Sequence, residues 1–225
     1  MIMRISEVLN ITPGVTSIIG GGGKTTLMLT LARELSDKGT VIILTTTRIF
    51  PPEGITLVTS TSKQEVSEKV KEQKVVCVSE RVDENGKLLP PTFEIKELME
   101  LADYIICEAD GAKRLPLKVH LDYEPVVPQE SSQTILVVGI DGIGKAIKDT
   151  CHRPKLYAEL AGCSEDTIVT PEVAMTVINK EELGTKIFIN KVESNDQMEI
   201  ARKMSGLTSL PVISGSLMNG EYKCL

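Results

Sequence analysis

Aromatic residues are scarce in this chain. They make up 3% of it, and tryptophan is absent. That argues against a stacking platform for single-stranded nucleic acid and against an aromatic-lined sugar cleft. Basic residues are also outnumbered, 25 against 31 acids, for a net charge of −6. No broad basic surface for nucleic acid is therefore expected. The five cysteines, Cys77, Cys107, Cys151, Cys163 and Cys224, form no C-x-x-C pair and are odd in number. A disulfide framework is not expected, and the spacing of Cys151, His152 and Cys163 fits no zinc pattern. No apolar run approaches the roughly 18 residues that a membrane span needs. The start, Met1-Ile2-Met3-Arg4-Ile5, lacks the continuous apolar segment of a signal peptide. The expectation is a soluble, cytoplasmic protein that binds neither nucleic acid nor membrane.

Aliphatic residues in alternating strand and helix patterns are plentiful. Apolar runs at 15–19, 41–44, 75–78, 104–107, 134–138, 186–190 and 210–213 read as strands, the last of them closing the sheet. Between them lie segments with a 3.6-residue apolar period, such as Leu27, Met28, Leu31, Ala32 and Leu35. Gly39 is placed to cap that helix. Ser62, Thr170 before Pro171, and Ser194 with Gln197 mark other helix starts. Asp83-Glu84-Asn85-Gly86 signals a hairpin turn with two positive-φ residues. The pattern predicts one α/β domain over residues 1–225, with three α/β/α layers, a mostly parallel sheet and a hairpin elaboration around 74–90.

One junction carries the strongest chemical signal. The strand at 15–19 runs into Gly20-Gly21-Gly22-Gly23-Lys24-Thr25-Thr26 and then a helix. Glycines admit a phosphate to backbone N–H groups, and the helix points its partly positive end at the same anion. Lys24 is expected to neutralise the outer phosphates, Thr25 to hold Mg²⁺, and Thr26 to line the site. The strict G-x-x-x-x-G-K-[ST] pattern is not met, because Ile18 occupies its first glycine position. What remains resembles the variant loop of MinD and nitrogenase-iron-protein ATPases and of metal-insertion GTPases. The extra lysine of many such ATPases is replaced by Ile19. A second stretch, Gly139-Ile140-Asp141-Gly142-Ile143-Gly144-Lys145, matches the spacing better. Ala146 offers no hydroxyl there and Pro154 shortens the helix that follows, so a surface turn is preferred.

Other candidates stand at strand ends, where open α/β sheets bind ligands. Glu108 and Asp110, two apart after an apolar strand and followed by Gly111, have the form of a Walker B element for Mg²⁺ or an attacking water. Thr46 and Arg48, in Thr45-Thr46-Thr47-Arg48, would reach Mg²⁺ or the γ-phosphate, or else are plain strand residues and a solvated arginine. Asn190-Lys191-Val192-Glu193 resembles the base-reading N-K-x-D motif of GTPases, with Glu193 one methylene longer than the aspartate. Alternatively, Glu193 simply precedes a helix cap. Ser214-Gly215-Ser216 would be a second base loop. Of the two histidines, His152 with Arg153 either makes a phosphate or substrate contact or belongs to a plain surface turn before Pro154.

Taken together, several blocks are similar to the YqeC-type family. They are residues 20–26 and 45–50, Glu108-Ala109-Asp110-Gly111-Ala112-Lys113-Arg114-Leu115-Pro116-Leu117-Lys118, Glu124-Pro125-Val126-Val127-Pro128 and His152-Arg153-Pro154. Members are described as accessory proteins of selenium-dependent molybdenum hydroxylases. The resemblance implies an Mg²⁺-dependent NTPase using ATP or GTP that handles or inserts a cofactor component. Its partners would be a molybdenum hydroxylase or the proteins that deliver its cofactor, and it would act as one chain or as a homodimer. Lys24 would stabilise the transferred phosphoryl group, and Thr25 with Glu108 or Asp110 would hold Mg²⁺. Lys113 or Arg114 would sense the γ-phosphate. Two alternatives stay open. One is a small-molecule kinase with His152, Arg153 and Lys118 at the acceptor, and the other is a nucleotide-binding chaperone without turnover.

Overall fold

The computed structural model describes residues 3–225; Met1 and Ile2, part of the leader reading above, lie outside it. In chain order the strands are β1 (Gly14–Gly20), β2 (Val41–Thr45), β3 (Thr56–Val58), β4 (Val75–Val78), β5 (Tyr104–Glu108) and β6 (Leu117–Lys118). They continue with β7 (Ser131–Gly139), β8 (Cys151–His152), β9 (Lys186–Asn190), β10 (Val212–Ser216) and β11 (Glu221–Cys224). The helices are α1 (Ile5–Val8), α2 (Lys24–Leu35), α3 (Lys63–Gln73), α4 (Ile95–Met99), α5 (Ile147–Thr150), α6 (Pro154–Ala161), α7 (Pro171–Glu181) and α8 (Asn195–Ser205).

Nine strands form one sheet in the order β11-β10-β9-β7-β1-β5-β2-β4-β3. Every pairing in it is parallel except β10 with β11. Side chains alternate across it, as a two-residue period requires. Ile18, Ile43 and Ile106 join the core beneath α1 and α2, with Leu27, Leu31 and Leu35. Ile19, Ile42, Ile105 and Cys107 join the opposite core, with Val66 and Val70 of α3, Met175 of α7 and Met204 of α8. Two cores on two faces make the expected three-layer α/β/α architecture. Each fully buried leucine contributes about 2 kcal/mol to holding the layers together. No described helix is long and apolar enough to cross a membrane.

Four local readings change. Gly39 does not cap α2 in a left-handed conformation; Ser36 ends the helix, and a Cβ on Gly39 would sit 2.5 Å from the Asp103 carboxylate that holds Thr40. Of Asn85 and Gly86, only Gly86 has positive φ, because Asp83 closes a longer turn onto Lys87 N–H. That turn brings Val82 to Leu88 and Leu88 to Ile49 as isolated bridges, while Val75–Val78 joins the main sheet. The sheet does not close at 210–213. Ser214, Gly215 and Ser216 are strand, not loop, and β11 lies antiparallel against them, since Gly215 has no Cβ to meet Glu221. A small second sheet also pairs β6 with β8.

Candidate functional site

The site forms where β1 gives way to α2, in the middle of the sheet. Gly23 precedes the helix with φ 130°, and no side chain caps its N-terminus. By contrast α3, α7 and α8 are capped by Ser62, Thr170 and Ser194. A twelve-residue helix thus presents bare N–H groups and its positive end to the space above. The glycines are needed by close packing. A Cβ at Gly22 would lie 2.3 Å from the Gly139 nitrogen, and one at Gly23 would lie 2.4 Å from Asn190 Nδ2.

The loop's own N–H groups are mostly occupied. Gly20 N–H donates to Asp110 Oδ2 at 2.8 Å, Gly21 N–H to the Val137 carbonyl at 2.9 Å, and Gly22 N–H to the Leu115 carbonyl at 3.1 Å. The donors left free to meet an anion therefore belong to the start of α2, a narrower cradle than four glycines suggest. Segment 112–116 lies across the loop as a strap, with Lys113 and Arg114 both in the left-handed region at φ 49° and 64°. Non-glycine residues hold that conformation only under strain.

Lys24 lies beneath the cleft, almost wholly buried. Its ammonium donates to the Gly20 carbonyl at 2.8 Å and stands 3.0 Å from Asp110 Oδ1 and 3.7 Å from Glu108 Oε1. Thr25 Oγ1 donates to Glu108 Oε2 at 3.0 Å. Behind this pair lies a larger network. Asp110 Oδ2 is 2.6 Å from His120 Nε2 and 3.0 Å from Lys118 Nζ. His120 Nδ1 meets Glu181 Oε1 of α7 at 3.0 Å, and Glu124 pairs with Lys118 at 2.9 Å and Arg153 at 3.0 Å. Four acids face Lys24, Lys118, Arg153 and His120, so the buried charge balances if His120 is protonated.

The titration tendencies of Asp110 and His120 agree with that balance, and that of Glu108 runs against it. Burial pushes Asp110 up, but His120, Lys24, Lys118 and Gly20 N–H overcome it and hold the carboxyl well below the usual range. Burial alone would lower His120, yet its bonds to Asp110 and Glu181 raise it. Glu108 ends up raised, because burial outweighs Lys24 and Thr25. His152 goes the other way, to about 4, through burial and then the neighbouring Arg153.

Above Lys24 opens a cleft of about 690 Å³, walled by Gly22, Gly23, Thr25, Thr26, Glu108, the strap, and a second wall running from Arg48 to Glu53. Thr25 Oγ1 and Glu108 supply hard oxygen donors at its floor, and behind them Asp110 Oδ1 has the Lys24 ammonium as its one polar neighbour. Among the described residues no cluster of three or more His, Cys, Asp or Glu forms a protein cage for a metal. One or two carboxylates and a hydroxyl suit Mg²⁺, which keeps waters and takes its other ligands from phosphate.

These matters of geometry can be set beside known proteins. The family model of the YqeC protein matches residues 16–155. This chain belongs to the YqeC family. The uncharacterized protein YqeC of Escherichia coli (strain K12) is 30% identical over 161 residues, covering 68% of this chain and 63% of that relative. The chain thus matches a little under two thirds of its relative's length. The YqeC match takes in the glycine loop, Glu108, Asp110, the strap, Lys118, His120, Glu124 and Arg153. Glu181 and the stretch from Asn190 to Glu193 lie beyond it.

The remaining candidates are distributed unevenly. Arg48, Lys113, Arg114 and Lys191 reach the cleft wall with Thr25 and Thr26. Gly20 and Gly21 are buried behind it, as is Asp110. The Thr46 hydroxyl turns to the Val126 carbonyl at 2.6 Å. Asn190 donates to the Gly22 carbonyl at 2.8 Å and accepts from Leu217 N–H, so it clasps the glycine loop. Glu193 accepts from Ser216 and lines a separate cavity beside α8. Lys118 and Arg153, read as acceptor ligands, are consumed by Glu124, and Arg153 also donates to the Val119 carbonyl. Sequence reasoning passed over His120 in favour of His152. The available signal was Lys118-Val119-His120, whose two-residue spacing sends both polar side chains to one side of a strand.

Proposed function

We propose that this YqeC-family protein binds a nucleoside triphosphate with Mg²⁺ and hydrolyses it, as an accessory factor in the maturation of a selenium-dependent molybdenum hydroxylase. The observation that carries the reading is Lys24: a buried ammonium at an uncapped helix N-terminus, held by two carboxylates under an open cleft. On binding, Lys24 turns from the carboxylates to the outer phosphates. Thr25 and Glu108 would hold the metal, with Asp110 behind them, and Lys113 and Arg114 on the strap would offset charge at the terminal phosphate. Mg²⁺, when bound, neutralises phosphate charge and orients the transferred group. Asp110 stays ionised because His120, Lys118 and Gly20 N–H hold it so.

Free phosphate release from ATP and from GTP, measured with and without Mg²⁺ and with no added acceptor, tests this. Mg²⁺-dependent release of phosphate that falls at least a hundredfold in Thr25→Val supports hydrolysis. Tight nucleotide binding with no release, even beside the client hydroxylase, would replace the NTPase by a nucleotide-dependent chaperone. Phosphate transfer only to an added small molecule would make it a kinase.

A further inference from the structure

The cleft is more cationic than a single magnesium nucleotide needs. Lys24, Arg48, Lys87, Lys113, Arg114 and Lys191 line it, against Glu53 and Glu108, in a chain whose net charge is −6. Lys24 is held by Glu108 and Asp110, and Lys191 by Asp141 at 2.7 Å. Arg48 reaches Asp83 only at 3.9 Å, and among the described residues Lys87, Lys113 and Arg114 have no acidic partner within 4.0 Å. A concave wall with that imbalance concentrates anions.

The cations fall on two sides of the phosphate cradle. In the sheet, β9 lies two strands from β1 in one direction and β2 two strands in the other. Lys191 follows β9, whereas Arg48 and Phe50 follow β2, and Lys87 comes from the turn that packs on Ile49. With phosphates fixed at the α2 N-terminus, a nucleoside directed toward Asn190 and Lys191 leaves the Arg48 arm vacant. That arm has a distinctive surface. Phe50 is 56% exposed, in a chain with three phenylalanines and no tryptophan. Lys87 Nζ stands 5.4 Å from its ring centroid, and Pro51 and Pro52 continue the wall. Single exposed apolar residues are ordinary. With Lys87 over one face and more than half of its surface exposed, the ring offers its remaining face to a flat ligand, inside a cleft that Arg48 also lines.

We propose that this arm is a second ligand site, taking a small anionic molecule with a flat ring body beside the terminal phosphate. The proposal rests on the nucleotide reading and gives that site its substrate class. Arg48 and Lys87 hold the acidic group, and Phe50 with Pro51 carries the ring, while Lys113 and Arg114 stay with the terminal phosphate. It also places the acceptor or cargo away from Lys118 and Arg153, which Glu124 already neutralises.

The test uses the full chain and pyridoxal 5′-phosphate, a ring phosphate whose aldehyde marks nearby lysines after borohydride reduction. Marked lysines are mapped by mass spectrometry with and without Mg²⁺ and non-hydrolysable ATP or GTP analogues, and nucleotide retention is measured on the same samples. The expected result is marking of Lys87 at least tenfold faster than of the exposed Lys71 and Lys223. It should persist when nucleotide is bound, be lost when pyridoxal lacking the phosphate is used, and fall about fivefold in Phe50→Ala. Lys87 marked no faster than Lys71 and Lys223 overturns the site. Lys87 protected by retained nucleotide also overturns it, because the nucleotide itself would then occupy the arm. Absence of nucleotide retention is a separate outcome: it defeats the nucleotide reading, and with it a site defined beside a terminal phosphate.

Discussion

Two stretches of this chain set glycines before a lysine, and the one with the better spacing has the poorer geometry for holding an anion. Gly139 to Lys145 fits the six-residue interval, yet it is itself folded into a short turn, Ile140–Gly142, and leads only into a helix of four residues. Lys145 is exposed, and Gly144, at φ 85°, has open space where a Cβ would be. Gly20 to Lys24 fails the interval, but it leads into a twelve-residue helix, and its lysine is buried between Asp110 and Glu108. The two loops touch, since Gly22 packs on Gly139. Anion binding depends on a long uncapped helix and a guarded ammonium, which spacing alone does not supply.

The contrast can be broken at the glycines first. Gly22→Ala forces a Cβ against the Gly139 backbone in a left-handed conformation, and should cost about 4 kcal/mol in urea unfolding. Gly144→Ala meets only the conformational penalty, about 1 kcal/mol. Equal losses in the two variants would mean that the loops are packed alike.

Next comes the network behind Lys24. His120→Ala leaves Asp110 and Glu181 buried without their shared partner and should cost about 3 kcal/mol. The sign with pH follows from its raised pKa, which Asp110 and Glu181 produce against burial. The stabilisation is complete below the ordinary value of 6.5 and fades as pH rises through the higher folded value. Unfolding midpoints of the native chain should therefore decline more steeply above pH 6.5 than those of His120→Ala. Parallel curves would contradict a protonated His120.

How much of this was legible beforehand depends on distance along the chain. The parallel sheet, α2 and its apolar face, and the pair Glu108 and Asp110 were readable because each is a local pattern. His120 and Glu181 were not, since they stand 61 residues apart and meet only through the fold. The Leu115 carbonyl over Gly22 is backbone, and any residue could supply it. β11 was missed because its four residues, Glu221–Cys224, are short and largely polar. Asn190 was read as a base contact, whereas its side chain is spent on the Gly22 carbonyl and Leu217 N–H, a use that no local pattern announces.

Smaller effects sharpen the same picture. Asn190→Ala removes the clasp on the Gly22 carbonyl and should cost about 1 kcal/mol, with a loss of nucleotide affinity in calorimetry. Lys191→Ala breaks a half-exposed pair with Asp141 and should change stability by no more than about 0.5 kcal/mol. A larger loss in Lys191→Ala than in Asn190→Ala would reverse the ranking.

The most direct test of the central claim is a calorimetric titration of ATP and GTP, with Mg²⁺, into the native chain, Lys24→Ala and Lys145→Ala. The account predicts that Lys24→Ala loses at least a hundredfold in affinity while Lys145→Ala stays within twofold of native. Nucleotide affinity unchanged by Lys24→Ala, or abolished by Lys145→Ala, would contradict it.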